Sequence, residues 1–165
     1  MVTGCEYLLI LTSGGSEETR EMGRLLGVVV NPGTVIALNG ELGAGKTVFA
    51  QGVGLGLEVE EAVTSPSFVL MNVYQGRLEL YHFDFYRLEE EDELASLGLD
   101  EYFYGEGVAL VEWAGKFSRS LPPARLEITI TRDDKRGEDA RLLHVDPRGD
   151  ENIALLKEWS SQCCS

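Results

Sequence analysis

The sequence predicts an α/β fold, a mixed β-sheet flanked by helices, in one compact domain over residues 1–165. Residues 34–38 (TVIAL) form an unbroken, β-branched apolar run that passes through glycines into a helix-compatible segment, the order that opens an α/β unit. Residues 108–111 (VALV) make a second continuous apolar run, the mark of a strand covered on both faces. Leu126, Ile128 and Ile130 alternate with Glu127, Thr129 and Thr131, which reads as a half-exposed antiparallel strand.

The other elements follow in chain order. Residues 7–11 (YLLIL) are a short apolar strand, and residues 12–15 a polar turn. Ser16 is the expected cap of a helix with Glu17 and Glu18 in its first turn and Met22, Leu25 and Leu26 on its inner face. Gly27 or the Asn31-Pro32-Gly33 cluster ends it. The helix around Thr47 to Val53 contains Gly52, with Gly54 and Gly56 close behind, so it must be short or packed tightly against another backbone. Residues 68–74 and 78–83 are β-rich runs joined by the hairpin-like Gln75-Gly76-Arg77. Residues 89–97 read as a helix with an acidic first turn and Leu94 and Leu97 inward, and residues 99–103 as a further short turn. After strand 108–111, residues 133–139 are a charged turn, and residues 140–145 pair back. Residues 151–159 close the chain as an amphipathic helix carrying Ile153, Leu155, Leu156 and Trp159, with residues 160–165 expected as a frayed tail.

Composition narrows the function. A chain of 165 residues and 18.2 kDa buries about two-thirds of its extended surface, enough for a core without metal or disulfide staples. Lys plus Arg number 14 against 28 Asp plus Glu, a net charge of −14. That balance predicts no tight nucleic-acid binding by the isolated chain, since phosphate neutralisation needs clustered cations. No apolar run reaches the length of a membrane span, and residues 1–6 lack a basic signal-peptide start, so a cytoplasmic protein is expected. Cys5, Cys163 and Cys164 have neither CxxC spacing nor a nearby histidine, and read as incidental thiols.

The strongest local signal is Gly40-Glu41-Leu42-Gly43-Ala44-Gly45-Lys46-Thr47, which matches GxxxxGK[ST] throughout and sits between a strand and a helix. Glycines there let backbone N–H groups converge on phosphate oxygens, and the helix start adds aligned N–H groups. Lys46 would neutralise the β and γ phosphates of ATP, while the Thr47 hydroxyl is placed to ligate Mg²⁺. This loop makes the predicted architecture P-loop NTPase-like. Asp84 and Glu112 each follow an apolar strand and so belong at the carboxyl edge of the sheet, where open α/β sheets bind ligands. Glu89, Glu90, Glu91, Asp92 and Glu93 read instead as a solvated helix start. Thr64-Ser65-Pro66-Ser67-Phe68 offers hydroxyls for a γ-phosphate sensor, though an ordinary strand-entry turn has the same letters. His82 shares a strand face with Asp84 and is either a hydrogen-bonded structural residue or a base.

Together with the loop, residues 64–68 (TSPSF), His82-Phe83-Asp84-Phe85-Tyr86-Arg87 and Val111-Glu112-Trp113 make the chain resemble the TsaE family. The family comprises small bacterial ATPases of tRNA threonylcarbamoyladenosine formation, and the resemblance covers about residues 7–145. Ser67 stands where the family usually has threonine. The resemblance implies a cytoplasmic ATPase that works with TsaD and TsaB and is not itself the transferase. It implies Mg²⁺-site roles for Thr47 and Glu112, and a Walker-B-type catalytic role for Asp84, which is the third expected Mg²⁺-site residue. It also implies a switch-like loop from Ser65 to Phe68, and a place for Trp113 beside the nucleotide. Glu41, Leu42, Gly43, Ala44, Gly45, Lys46, Thr47, Thr64, Ser65 and Trp113 are therefore the expected nucleotide contacts, with Lys46, Asp84 and Glu112 the expected catalytic groups. Two other functions fit a bare P-loop: a small-molecule or nucleoside kinase, and a nucleotide-dependent interaction module with negligible turnover.

Overall fold

The structure is a computed structural model and describes residues 8–66 and 69–164. Cys5, Tyr7, Ser67, Phe68 and Ser165 lie outside the described residues. Seven strands, β1 (Leu9–Ser13), β2 (Val35–Asn39), β3 (Met71–Tyr74), β4 (Leu80–Asp84), β5 (Val108–Glu112), β6 (Arg125–Arg132) and β7 (Arg141–Arg148), form one sheet in the order β1-β7-β6-β2-β5-β4-β3. The centre is parallel, with β2 between β5 and β6 and β4 parallel to β5. Both margins are antiparallel, through β3–β4 on one side and β6–β7–β1 on the other. The predicted mixed sheet with flanking helices is therefore the observed fold.

Two apolar layers cover the sheet. Alternate strand residues such as Ile36, Leu38, Leu110 and Ile128 pack under α1 (Ser16–Val29), α2 (Lys46–Gly56) and α5 (Asp150–Cys163). The opposite set, including Val35, Ala37, Phe83 and Val111, packs under α3 (Glu91–Ala95), α4 (Asp100–Phe103) and a 3-10 segment (Ala114–Ser120). The central strands thus need apolar residues at every position, which is why they are continuous apolar runs in the sequence. Trp159 ties α5 to α1 by donating its indole N–H to Met22 O at 2.9 Å. Among the described residues, no helix is long and apolar enough to cross a membrane.

Several local expectations are corrected. The N-cap of α1 is Gly15, not Ser16. The Ser13 hydroxyl instead bonds Gly15 O and Thr19 Oγ1, and Glu18 accepts from Gly14 N–H, so the first turn is held from before the helix. Gly27 does not end α1; it lies inside the helix, buried against α2. Strand β6 is antiparallel only to β7 and runs parallel to β2, because the 3-10 segment after β5 carries the chain back across the sheet before β6 begins. The helix predicted over residues 89–97 shrinks to Glu91–Ala95, where Leu94 is the one buried side chain. At the other end α5 continues to Cys163, which packs against the core, so residues 160–163 are helical.

Candidate nucleotide site

The site lies at the carboxyl edge of the parallel strands, where β2, β4 and β5 end side by side. Gly40 follows β2 with φ of 150°, and a Cβ there would stand 2.6 Å from Ile130 O, so only glycine lets the loop pass β6. Gly45 takes a left-handed conformation immediately before α2. That bend presents the free N–H groups of the first turn of α2 to the loop, a preformed anion cradle. Arg141, the first residue of β7, braces the loop from behind: its Nε donates to Ala44 O at 2.9 Å. Leu42 is 79% exposed and Glu41 is exposed, and both line the cavity beside the loop.

Lys46 is buried and points back along the loop, donating to Gly40 O at 2.7 Å and Glu41 O at 2.9 Å. Its ammonium also lies 4.3 Å from the centre of the Trp113 ring. Burial pushes this ammonium below its ordinary range, while the Glu112 and Asp84 carboxylates pull it back up. Trp113 itself has φ of 60°, a backbone conformation unfavourable for a large side chain. Asn39 helps to hold that turn, since its Oδ1 accepts from Gly115 N–H at 2.6 Å.

The two carboxylates are direct neighbours in the β4–β5 register, Asp84 opposite Glu112. Glu112 is buried; its Oε1 accepts from the Thr47 hydroxyl at 3.2 Å, and its Oε2 lies 2.6 Å from His82 Nε2. Asp84 is half-buried and accepts from the Ser65 hydroxyl at 3.0 Å and from Tyr86 N–H at 2.9 Å. Thr64 is exposed, and its N–H donates to the Tyr74 hydroxyl, which ties the loop to β3. Loop, lysine, hydroxyl, both carboxylates, Ser65 and Trp113 thus lie together at one edge of the sheet. A hydroxyl beside a carboxylate is the hard-oxygen donor pair that Mg²⁺ takes.

A cavity of 790 Å³ opens beside the loop between Trp113, Lys116 and Arg132. Arg141 is engaged with the loop carbonyls, and Arg125 is buried in an ion pair with Glu127 at 2.6 Å, so neither is placed to close over the cavity. Sequence reasoning missed the bracing roles of Arg141 and Asn39. The one hint is a polar asparagine directly after an apolar strand; nothing in the sequence marks Arg141.

This fold and edge site define a protein of P-loop NTPase-like architecture. A family model described as "Threonylcarbamoyl adenosine biosynthesis protein TsaE" matches residues 13–142. The chain is 44% identical over 145 residues to the tRNA threonylcarbamoyladenosine biosynthesis protein TsaE of Bacillus subtilis, covering 87% of this chain and 89% of that one. It is 40% identical over 118 residues to the TsaE of Treponema pallidum, covering 72% and 87%. The crystal structure of Bacillus subtilis YdiB superposes with a TM-score of 0.81 at 38% identity, over 94% of this chain and 95% of that one. The chain belongs to the TsaE family.

Proposed function

We propose that this protein binds and hydrolyses ATP with Mg²⁺ and is required to form the threonylcarbamoyl group on adenosine 37 of tRNAs that read codons beginning with A. It acts with TsaD- and TsaB-like proteins and is not the transferase. The observation that carries the proposal is the convergence of the glycine cradle, Lys46 and the Thr47–Glu112 pair at one sheet edge, in a chain of the TsaE family.

The division of labour follows from the contacts. Lys46 already lies among oxygen acceptors and exchanges Gly40 O and Glu41 O for the β and γ phosphate oxygens. Backbone N–H groups of the loop and of the first turn of α2 hold the phosphates, with Ala44 N–H exchanging Glu41 O for a phosphate oxygen. Thr47 and Glu112 would hold Mg²⁺, which when bound offsets the charge that develops between the β and γ phosphates. Asp84 orients the attacking water and, through Ser65, ties residues 64–66 to the state of the site. With a net charge of −14, the chain leaves the tRNA to its partners.

Two measurements test this together: ATP binding by calorimetry, and threonylcarbamoyladenosine formation reconstituted with TsaD, TsaB and either the wild-type or the Lys46→Ala protein. The variant should lose both activities while keeping its circular dichroism spectrum. A folded Lys46→Ala protein that binds ATP and supports modification at wild-type levels removes the loop as the nucleotide site.

A further inference from the structure

One buried polar side chain at this edge has no part in the roles above. His82 is fully buried on β4, on the face that packs toward α2, and stands opposite Leu110 in the β5 register. Its Nε2 lies 2.6 Å from Glu112 Oε2, while its Nδ1 is buried with no hydrogen-bond partner among the described residues. A carboxylate can only accept, so Nε2 carries a proton and donates, and Nδ1 is left without a partner. An imidazole that merely filled space here would strand that nitrogen to no purpose, since leucine or phenylalanine fills an apolar site without doing so. The ring's polar work is therefore confined to Glu112. The other Glu112 oxygen accepts from the Thr47 hydroxyl, which makes a chain of three side chains from β4 through β5 to the first turn of α2.

We propose that His82 is a positioning residue for the Mg²⁺ site: its Nε2–H pins one oxygen of Glu112, so that the other stays turned toward the Thr47 hydroxyl. A glutamate has three side-chain torsions, and a single bond to Thr47 would leave its carboxylate free to swing toward the Lys46 ammonium nearby. The histidine bond removes that freedom before the ion arrives, the usual role of a hydrogen-bond partner behind a metal ligand. The proposal rests on the assignment of Thr47 and Glu112 to Mg²⁺ made above, and deepens it.

The test compares His82→Gln with His82→Asn. Glutamine can place an amide N–H near the position of Nε2 and reach Glu112; asparagine places its amide near Nδ1 and falls short. Both are neutral and polar, so reach is the principal difference between them. ATP binding is titrated by calorimetry at a series of Mg²⁺ concentrations and again without Mg²⁺, with Glu112→Gln as reference. His82→Asn should need about tenfold more Mg²⁺ for half-maximal enhancement of binding, with Mg²⁺-free ATP affinity unchanged, and His82→Gln should restore most of the loss. Equal Mg²⁺ dependence in the asparagine and glutamine variants would overturn the positioning role. So would a loss of Mg²⁺-free binding in both, which would mark His82 as a general structural residue. If Glu112→Gln itself leaves the Mg²⁺ dependence untouched, the ion site has been misassigned and the proposal falls with it. If Glu112→Gln shifts it and His82→Asn does not, the proposal alone fails.

Discussion

Gly52→Ala is expected to destabilise the protein even though it replaces the second-worst helix former with the best. In a solvent-exposed helix interior the change favours the folded state by about 1 kcal/mol. In this fold α1 and α2 cross backbone to backbone through glycines from both helices: Gly23 against Phe49 O, Gly27 against Val53 O, Gly52 against Arg20 O and Gly56 against Arg24 O. A Cβ on Gly52 would overlap the Arg20 carbonyl oxygen and stand 2.9 Å from Arg24 N. The obstacle is helix backbone, so no rotamer change relieves it, and the helices must part by about 1 Å to restore ordinary contact. Overpacking of this kind costs about 1–3 kcal/mol. Parting the helices also loosens Leu26, Phe49 and Val53, which are fully buried on their inner faces. An overlap with helix backbone belongs at the upper end of that range, so after the propensity gain the net loss is about 2 kcal/mol and the fall in Tm about 4–8 °C. Urea and thermal denaturation followed by circular dichroism measure it. Because α2 begins at Lys46, the displaced helix should also weaken ATP binding in the protein that remains folded. A Gly52→Ala protein as stable as wild type, or more so, would refute the reasoning, since it would show that the glycines are not there for close approach.

Three further outcomes are expected. Lys46 is held below its ordinary pKa of 10.5 by burial, and phosphate charge should bring it back up. ATP binding should therefore take up a proton in the alkaline range and weaken as pH rises through the depressed value; calorimetry in buffers of different ionisation heat should show this, and buffer-independent heats at alkaline pH would rule it out. Asp84→Asn keeps the shape and one acceptor oxygen for Tyr86 N–H, while its amide NH₂ meets the Ser65 hydroxyl as a donor and the charge is lost. It should slow single-turnover ATP hydrolysis about 100-fold with little change in ATP affinity, and a wild-type rate constant would assign Asp84 to structure. Arg141→Ala should weaken ATP binding about tenfold, because the Ala44 carbonyl loses its charged donor and the loop loses its brace. Unchanged affinity in a calorimetric titration would show that the loop holds its shape alone.

How much of this is visible in the sequence depends on whether a residue's environment is local or assembled. Strands β2 and β5 are covered on both faces, so their burial is written as continuous apolar runs; Gly40 to Thr47 just past β2, and Glu112 as the last residue of β5, fall at the sheet edge by necessity. The glycines of α2 could be read as a sign of close backbone packing, but not which helix does the packing; that required α1 to place Gly23 and Gly27 opposite them. Arg141 was invisible because its partner is a carbonyl 97 residues away, and any exposed strand-start arginine has the same local sequence. His82 was ambiguous for a related reason. The period of two puts it on the face of Asp84, yet the residue it actually reaches is Glu112 on the neighbouring strand, which only the pairing register reveals. The parallel run of β6 beside β2 was hidden too, since alternation reports one buried face and says nothing of strand direction.

The register that sets Asp84 beside Glu112 also gives them different work. Glu112 is 3% exposed with an oxygen bonded to each of two neighbours, so turning it would strand the Nε2–H of His82, which is fully buried, and would also break the bond from Thr47. Such a carboxylate is suited to hold a fixed ligand. Asp84 is half-buried, and one of its oxygens is bonded to the hydroxyl of a loop serine. Water can take the place of that hydroxyl at little free-energy change, because at a half-solvated oxygen one hydrogen bond is exchanged for another. Release of Ser65 unties the loop from Asp84, while Thr64 N–H still bonds the Tyr74 hydroxyl on β3. A water drawn to Asp84 for attack on the γ phosphate and a Ser65 hydroxyl compete for the same carboxylate. Under the function proposed above, occupation of the site and the position of residues 64–66 would be two outcomes of one exchange at Asp84, a nucleotide-dependent surface for partner proteins that needs no movement of the sheet.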